Sequence, residues 1–211
     1  MKNETDVTVI LDRSGSMQGI ASDVIGGFNQ FLATQQRQRG DCRLTLVRFD
    51  DQYEVVYLAR PIADASRLTA KTFEPRGSTA LLDAIGRTID ATGARLGALA
   101  EAERPDRVLL VIITDGEENA SVEYTRDRVF SMISTQQEVY GWSFLFLAAN
   151  QDAIAEAAKV GIDARRSLTF PATGAGIRAA SLAMSDAVAS FRSTGDAALA
   201  GSAPKKKKNV H

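Results

Sequence analysis

Two short runs of apolar residues stand out along this chain, and each is followed by residues at helical spacing. Val7, Thr8, Val9, Ile10 and Leu11 form the first run, and residues 108–113 form the second. Runs this short and this apolar predict central parallel strands covered on both faces. After the first run, Ile20, Val24, Phe28, Phe31 and Leu32 recur at the helical period, which predicts a helix over 20–37. Residues 44–49 read as a strand, Asp50, Asp51 and Gln52 as a turn, and 53–58 as another strand. So short a connection makes a hairpin, so that one edge strand runs antiparallel.

Pro61 and Pro75 bracket a less regular segment, after which Leu82, Ile85 and Ile89 mark a helix. The second apolar run ends in Thr114, Asp115 and Gly116. Residues 123–138 read as a helix with Val129, Met132 and Ile133 inward, and 142–148 as a strand. An alanine-rich helix reaches about Val160, and 167–170 form a last short strand closed by Pro171. Ile177, Met184, Val188 and Phe191 line a final helix over 174–193. Alternating strands and helices with apolar central strands predict an α/β, Rossmann-like open sheet. It is mostly parallel, has one antiparallel edge strand, and carries helices on both faces.

A chain of 211 residues with 45% hydrophobic and 24% charged positions fits a single domain, placed over 1–200. Residues 201–211 read as a lysine-rich disordered tail. The net charge of −1 conceals an asymmetry: without Lys205, Lys206, Lys207 and Lys208, 21 basic residues face 26 acidic ones, a balance of −5. A mildly acidic body argues against a nucleic-acid face, leaving only weak anionic contact through the tail. Residues 1–6 are polar and no apolar run reaches membrane-spanning length, so neither a signal peptide nor a membrane span is expected. The single cysteine, Cys42, reads as a buried structural thiol, and a cytoplasmic location is the expectation.

The chemistry gathers at strand ends. In an open parallel sheet, ligands bind beyond the carboxyl ends of the strands, where the strand order reverses. Asp12, Ser14 and Ser16 leave the first strand at alternate positions; Gly77, Ser78 and Thr79 enter a helix; Thr114, Asp115 and Gly116 leave the second apolar strand. Each segment brings small oxygen-bearing side chains and a glycine that permits close backbone approach. Oxygen donors of this kind suit a hard cation. Helix capping is the alternative at Asp12, Ser14, Ser78 and Thr79, and an ordinary turn at Asp115 and Gly116. Glu117 and Glu118 read as solvated acids at a helix start. Arg13 and Arg76 read either as rim groups for an acidic partner or as solvated surface.

Asp12-x-Ser14-x-Ser16, Thr79 after Gly-Ser, and Asp115 in Thr-Asp-Gly resemble the metal-ion-dependent adhesion site of von Willebrand factor type A domains, of the intracellular prokaryotic type. The likeness covers roughly residues 5–193. It implies that Ser14 and Ser16 ligate Mg²⁺ or Mn²⁺ directly, that Thr79 does so when a partner is bound, and that Asp12 and Asp115 act mainly through waters or hydrogen bonds. It further implies a non-enzymatic adaptor whose metal meets a Glu or Asp carboxylate of a protein partner, such as an AAA+ ATPase or another multiprotein complex. In adhesion members of that family the last helix moves on engagement.

Two other readings stay open. A metal-dependent hydrolase or nuclease would use Asp12, Asp115 and Glu117, although two-metal chemistry wants more carboxylates than this. A scaffold with a vestigial site is the other. Histidine-based catalysis is excluded by composition, because the one histidine is His211 at the last position. No phosphate loop, nucleophile elbow or Cys/His cluster occurs.

Overall fold

Polar residues carry the first strand beyond its apolar run. The computed structural model describes residues 4–149 and 152–199. In it, β1 spans Glu4–Asp12, with Glu4, Thr5, Asp6 and Thr8 buried beside the valines. Buried charge needs a partner: Arg43 Nε reaches Glu4 at 2.7 Å and Arg95 Nη2 reaches Asp6 at 2.8 Å. β2, which carries Arg43, spans Asp41–Phe49, with Asp41 paired in register to Glu4, and β3 runs over Tyr53–Pro61. β3 carries an irregularity at Ala59, whose φ of 43° is left-handed and whose N–H donates to Thr45 Oγ1 at 2.9 Å. The remaining strands are β4 (Arg107–Thr114), β5 (Ser143–Ala149) and β6 (Ser167–Phe170).

The six strands lie in the order β3-β2-β1-β4-β5-β6. All neighbours pair in parallel except β2 and β3, which form the expected antiparallel edge. The order reverses between β1 and β4, which places the switch point at the ends of the two apolar strands.

Helices cover both faces. Alternate residues of β1 divide the core: Val7, Val9 and Leu11 face α1 (Ala21–Gln36) and α5 (Gly174–Thr194). Ile10 faces α2 (Leu81–Gly97), α3 (Arg126–Tyr140) and α4 (Ala153–Lys159). Ile177, Met184, Val188 and Phe191 are all buried, as their spacing predicts. Arg192, near the end of α5, is also buried. It donates to Gln35 O at 2.7 Å, Gln35 Oε1 at 3.1 Å and Gly40 O at 3.0 Å, pinning this end of α5 to the end of α1. Cys42 is buried, and burial pushes its thiol up to about 11, so it is inert at neutral pH.

Several boundaries differ from the sequence reading. Residues 15–20 form a 3₁₀ turn before α1. α3 begins at Arg126, not at 123, because the preceding stretch is held against α2. β1, β2 and β3 are each longer than their apolar cores. The lysine run, His211 and the proposed tail lie outside the described residues.

Candidate functional site

Asp12 is the last residue of β1 and is fully buried. Its Oδ1 accepts the Ser14 N–H at 2.7 Å, which folds the chain sharply as it leaves the sheet. Its Oδ2 accepts a hydrogen bond from Thr114 Oγ1, the end of the neighbouring strand, at 2.6 Å. Burial raises the Asp12 carboxyl to about 6, against the hydrogen bonds from Thr114 and Ser14 that lower it. Asp115, half-buried just past β4, is raised for the same reason and is eased by Ser16.

The hydroxyls converge. Ser14 Oγ and Ser16 Oγ lie 3.1 Å apart, and Ser16 Oγ donates to Asp115 Oδ1 at 2.7 Å. Gly116 shows where they point. A Cβ built there would sit 2.8 Å from Thr79 Oγ1, 3.5 Å from Ser16 Oγ and 3.6 Å from Ser14 Oγ. Three hydroxyls from two loops therefore surround one spot that only glycine leaves open, with the Asp115 carboxylate bonded to one of them. The structure thus brings together all five sequence-predicted residues: Asp12, Ser14, Ser16, Thr79 and Asp115.

Helix capping does not account for them. Neither the turn at 15–20 nor α2 has a side-chain cap hydrogen bond from its own N-cap residue. The first turn of α2 is instead capped by the loop after β4, where Glu118 accepts from Leu82 N at 2.9 Å and Ser121 Oγ accepts from Asp83 N at 3.0 Å. Asp83 returns the contact, accepting from the N–H groups of Val122, Glu123 and Tyr124 at 2.8–2.9 Å. Glu118 is therefore not a solvated helix-start acid; Glu117 is exposed. Arg13 and Arg76 are likewise not free solvated groups. Arg13 is buried, with its Nε 3.0 Å from Asp50 Oδ2, and Arg76 Nε donates to the same oxygen at 2.9 Å.

Sequence reasoning gave no role to Thr114, Asp50 or Asn119. Asn119 Oδ1 accepts from Thr79 N at 2.9 Å, and Asn119 N donates to Thr79 O at 3.0 Å. The Thr-Asp-Gly segment contained the signal for Thr114. For Asp50 and Asn119 only turn-like composition was visible.

Among the described residues, no group of three or more His, Cys, Asp or Glu side chains is placed to hold a metal ion. The donors gathered here are mainly hydroxyls, which suit only a hard, oxygen-preferring cation.

No protein-family model matches the chain, and no curated protein matches it in sequence. Solved structures do match. A von Willebrand factor type A structure from Catenulispora acidiphila superposes with a TM-score of 0.54 at 13% identity, over 87% of this chain and 42% of that one. The chain has a von Willebrand factor type A-like fold. The pilus adhesin SpaC from Lactobacillus rhamnosus GG, in its open conformation, matches with a TM-score of 0.65 at 13% identity, over 88% of this chain and 30% of that one. Proximal thread matrix protein 1 from the mussel byssus, with a zinc-occupied MIDAS motif, matches with a TM-score of 0.58 at 12% identity, over 83% and 45%. The chain spans less than half the length of each of these structures.

Proposed function

We propose that this chain is a divalent-metal-dependent protein-interaction module, with Asp12, Ser14, Ser16, Thr79 and Asp115 as its metal-ion-dependent adhesion site. The observation that carries this reading is the ring of three hydroxyls around the open spot at Gly116. Ser14 and Ser16 would hold Mg²⁺ or Mn²⁺, joined by Thr79 when a partner is bound, while Asp12, through Ser14 N and Thr114, fixes the loop that presents the serines. The likeness to a mussel protein with a zinc-occupied site of this type supports the reading through the shared fold.

The chemistry follows from charge. Neutral hydroxyls leave most of the charge of a divalent ion uncompensated, and when bound the ion supplies an electrophilic position for an anionic oxygen. The partner is therefore a protein offering a Glu or Asp carboxylate. An AAA+ ATPase or another multiprotein complex is the setting this reading expects, in the cytoplasm. With no histidine before His211 and two acids at the site, the module binds and does not catalyse. Among the described residues no helix is long and apolar enough to cross a membrane.

The test is a pull-down from the native host run with Mg²⁺, with EDTA and with Asp12→Ala. Capture of a partner that is lost both in EDTA and in Asp12→Ala supports the reading. Capture unaffected by EDTA points to a scaffold with a vestigial site, and metal-dependent phosphoester hydrolysis lost in Asp12→Ala points to an enzyme.

A further inference from the structure

Thr79 sits at the end of a long segment with little regular structure, residues 65–80, so its backbone alone does not fix its distance from Ser14 and Ser16. What fixes it converges on Asp50, a fully buried residue just after β2. Arg13, from the loop that carries the serines, and Arg76, from the loop that carries Thr79, both reach Asp50 Oδ2, at 3.0 and 2.9 Å. The other oxygen, Oδ1, accepts from Gln52 N at 2.6 Å, and the Asp50 carbonyl accepts from Ala80 N at 2.9 Å, one residue after Thr79. The two loops are also joined directly: Arg76 N donates to Arg13 O at 2.8 Å and Gly15 N to Gly77 O at 3.1 Å. Glu54 closes the cluster, with Oε1 2.8 Å from Arg13 Nη2 and 3.2 Å from Arg76 Nη2.

We infer that Asp50 is a positioning residue for the metal site, holding Thr79 at its working distance from Ser14 and Ser16 by clamping Arg13 and Arg76 on one carboxylate oxygen. This rests on the metal reading above. Asp50 touches no site oxygen; it acts through the two arginines. Arg76 is the informative side to probe, because it is half exposed and its loss leaves the buried Arg13–Asp50 pair intact. Removing Asp50 itself would deprive the buried Arg13 Nε of its carboxylate and leave Glu54 to hold the guanidinium.

The experiment is a Mn²⁺ titration of the full chain in excess acetate, whose carboxylate stands in for the partner's, followed by the free-ion electron paramagnetic resonance signal. It is run on wild type, Ser14→Ala, Asp50→Asn, Arg76→Gln, Thr79→Ala and the Arg76→Gln/Thr79→Ala double variant, with melting temperatures in EDTA. Arg76→Gln is expected to weaken Mn²⁺ binding by roughly 10- to 100-fold, as loss of a ligand-orienting partner does. Its melting temperature in EDTA is expected to fall by less than about 4 °C. In the double variant, Arg76→Gln is expected to add little to Thr79→Ala, since it acts through that residue. Equal Mn²⁺ affinity in Arg76→Gln and wild type overturns the inference. So does an undiminished Arg76→Gln effect in the Thr79→Ala background, which marks general loosening. If Asp50→Asn does not fold, the Arg76→Gln and Thr79→Ala cycle decides alone. A wild type that binds Mn²⁺ no better than Ser14→Ala removes the metal reading, and this inference with it.

Discussion

Ser16 Oγ donates a hydrogen bond to Asp115 Oδ1 at 2.7 Å, joining residues 99 positions apart in sequence. The bond bridges the exits of β1 and β4, where the strand order reverses. Gly116, beside it, is the cheapest place to close the site. The backbone at Gly116 is not left-handed, so Gly116→Ala meets no φ penalty; its cost is steric, with Thr79 Oγ1 only 2.8 Å from the new Cβ. Saturating metal at 100 times its dissociation constant should stabilise the wild type by about 2.7 kcal/mol. Gly116→Ala should lose that gain while keeping its far-ultraviolet circular dichroism. A thermal melt with and without Mn²⁺ checks both.

Asp83 carries a different load. Its carboxylate accepts three backbone N–H groups from residues 122–124, and so ties the loop after Asp115 to the start of α2. Asp83→Ala strands those donors, and we expect a loss of roughly 2–3 kcal/mol in urea unfolding. Amide exchange in residues 117–124 should quicken more than in β4.

The Arg13–Glu54 contact sets an acid limit. Hydrogen bonding and charge from Arg13, with charge from Arg48, hold the Glu54 carboxyl below its ordinary value of 4.5. Burial works against ionisation at Asp50, but hydrogen bonds from Arg76 and Gln52 and the charge of Arg13 prevail and lower its carboxyl too. A lowered folded value means that the unfolded chain takes up the proton first. The stabilisation is therefore present above about pH 4.5 and is lost as pH falls through the folded values. Asp12, Asp115 and Asp6 are shifted upward and run the opposite way, so a whole-protein curve mixes both signs. The clean measurement is a difference: the stability advantage of wild type over Glu54→Gln should shrink as pH drops from neutral into that window.

Arg192 offers a fourth check. Its guanidinium donates to carbonyls of Gln35 and Gly40 and to the Gln35 side chain. Arg192→Met keeps much of the buried stem but leaves those acceptors without donors. We expect about 2–4 kcal/mol of destabilisation, read as a lower urea midpoint at unchanged slope. Metal binding, at the other end of the sheet, should be unaffected.

How far the sequence could be read depended on whether a residue acts through its own pattern or through a distant partner. Val7 to Leu11 declared a buried strand by themselves. Glu4, Thr5 and Asp6 did not, because their burial depends on Arg43 and Arg95, 39 and 89 positions away from Glu4 and Asp6. Asp12, Ser14, Ser16, Thr79 and Asp115 were legible because small oxygen-bearing side chains at strand ends form a recognisable set. Asp50, Asn119 and Glu118 were not, since they bind arginines or main-chain N–H groups whose positions no local spacing encodes. The acids at 117 and 118 imitated a helix start, and the cap that Glu118 supplies belongs to a helix some 36 residues earlier.

The direction of β1 has a practical consequence. Its nine residues span roughly 30 Å, with Asp12 at one end and Glu4 at the other. α5 returns the chain to the Glu4 end, where Arg107 Nη1, at the start of β4, donates to Arg192 O at 3.1 Å. Glu4 and the end of α5 thus lie at the pole remote from the hydroxyl ring. An anchor attached at the Glu4 limit, whether a sensor surface, a bead or a fused reporter, would leave the loops at Ser16, Gly77 and Gly116 facing outward. Immobilised protein should therefore sample partners in solution without its own support standing in the way.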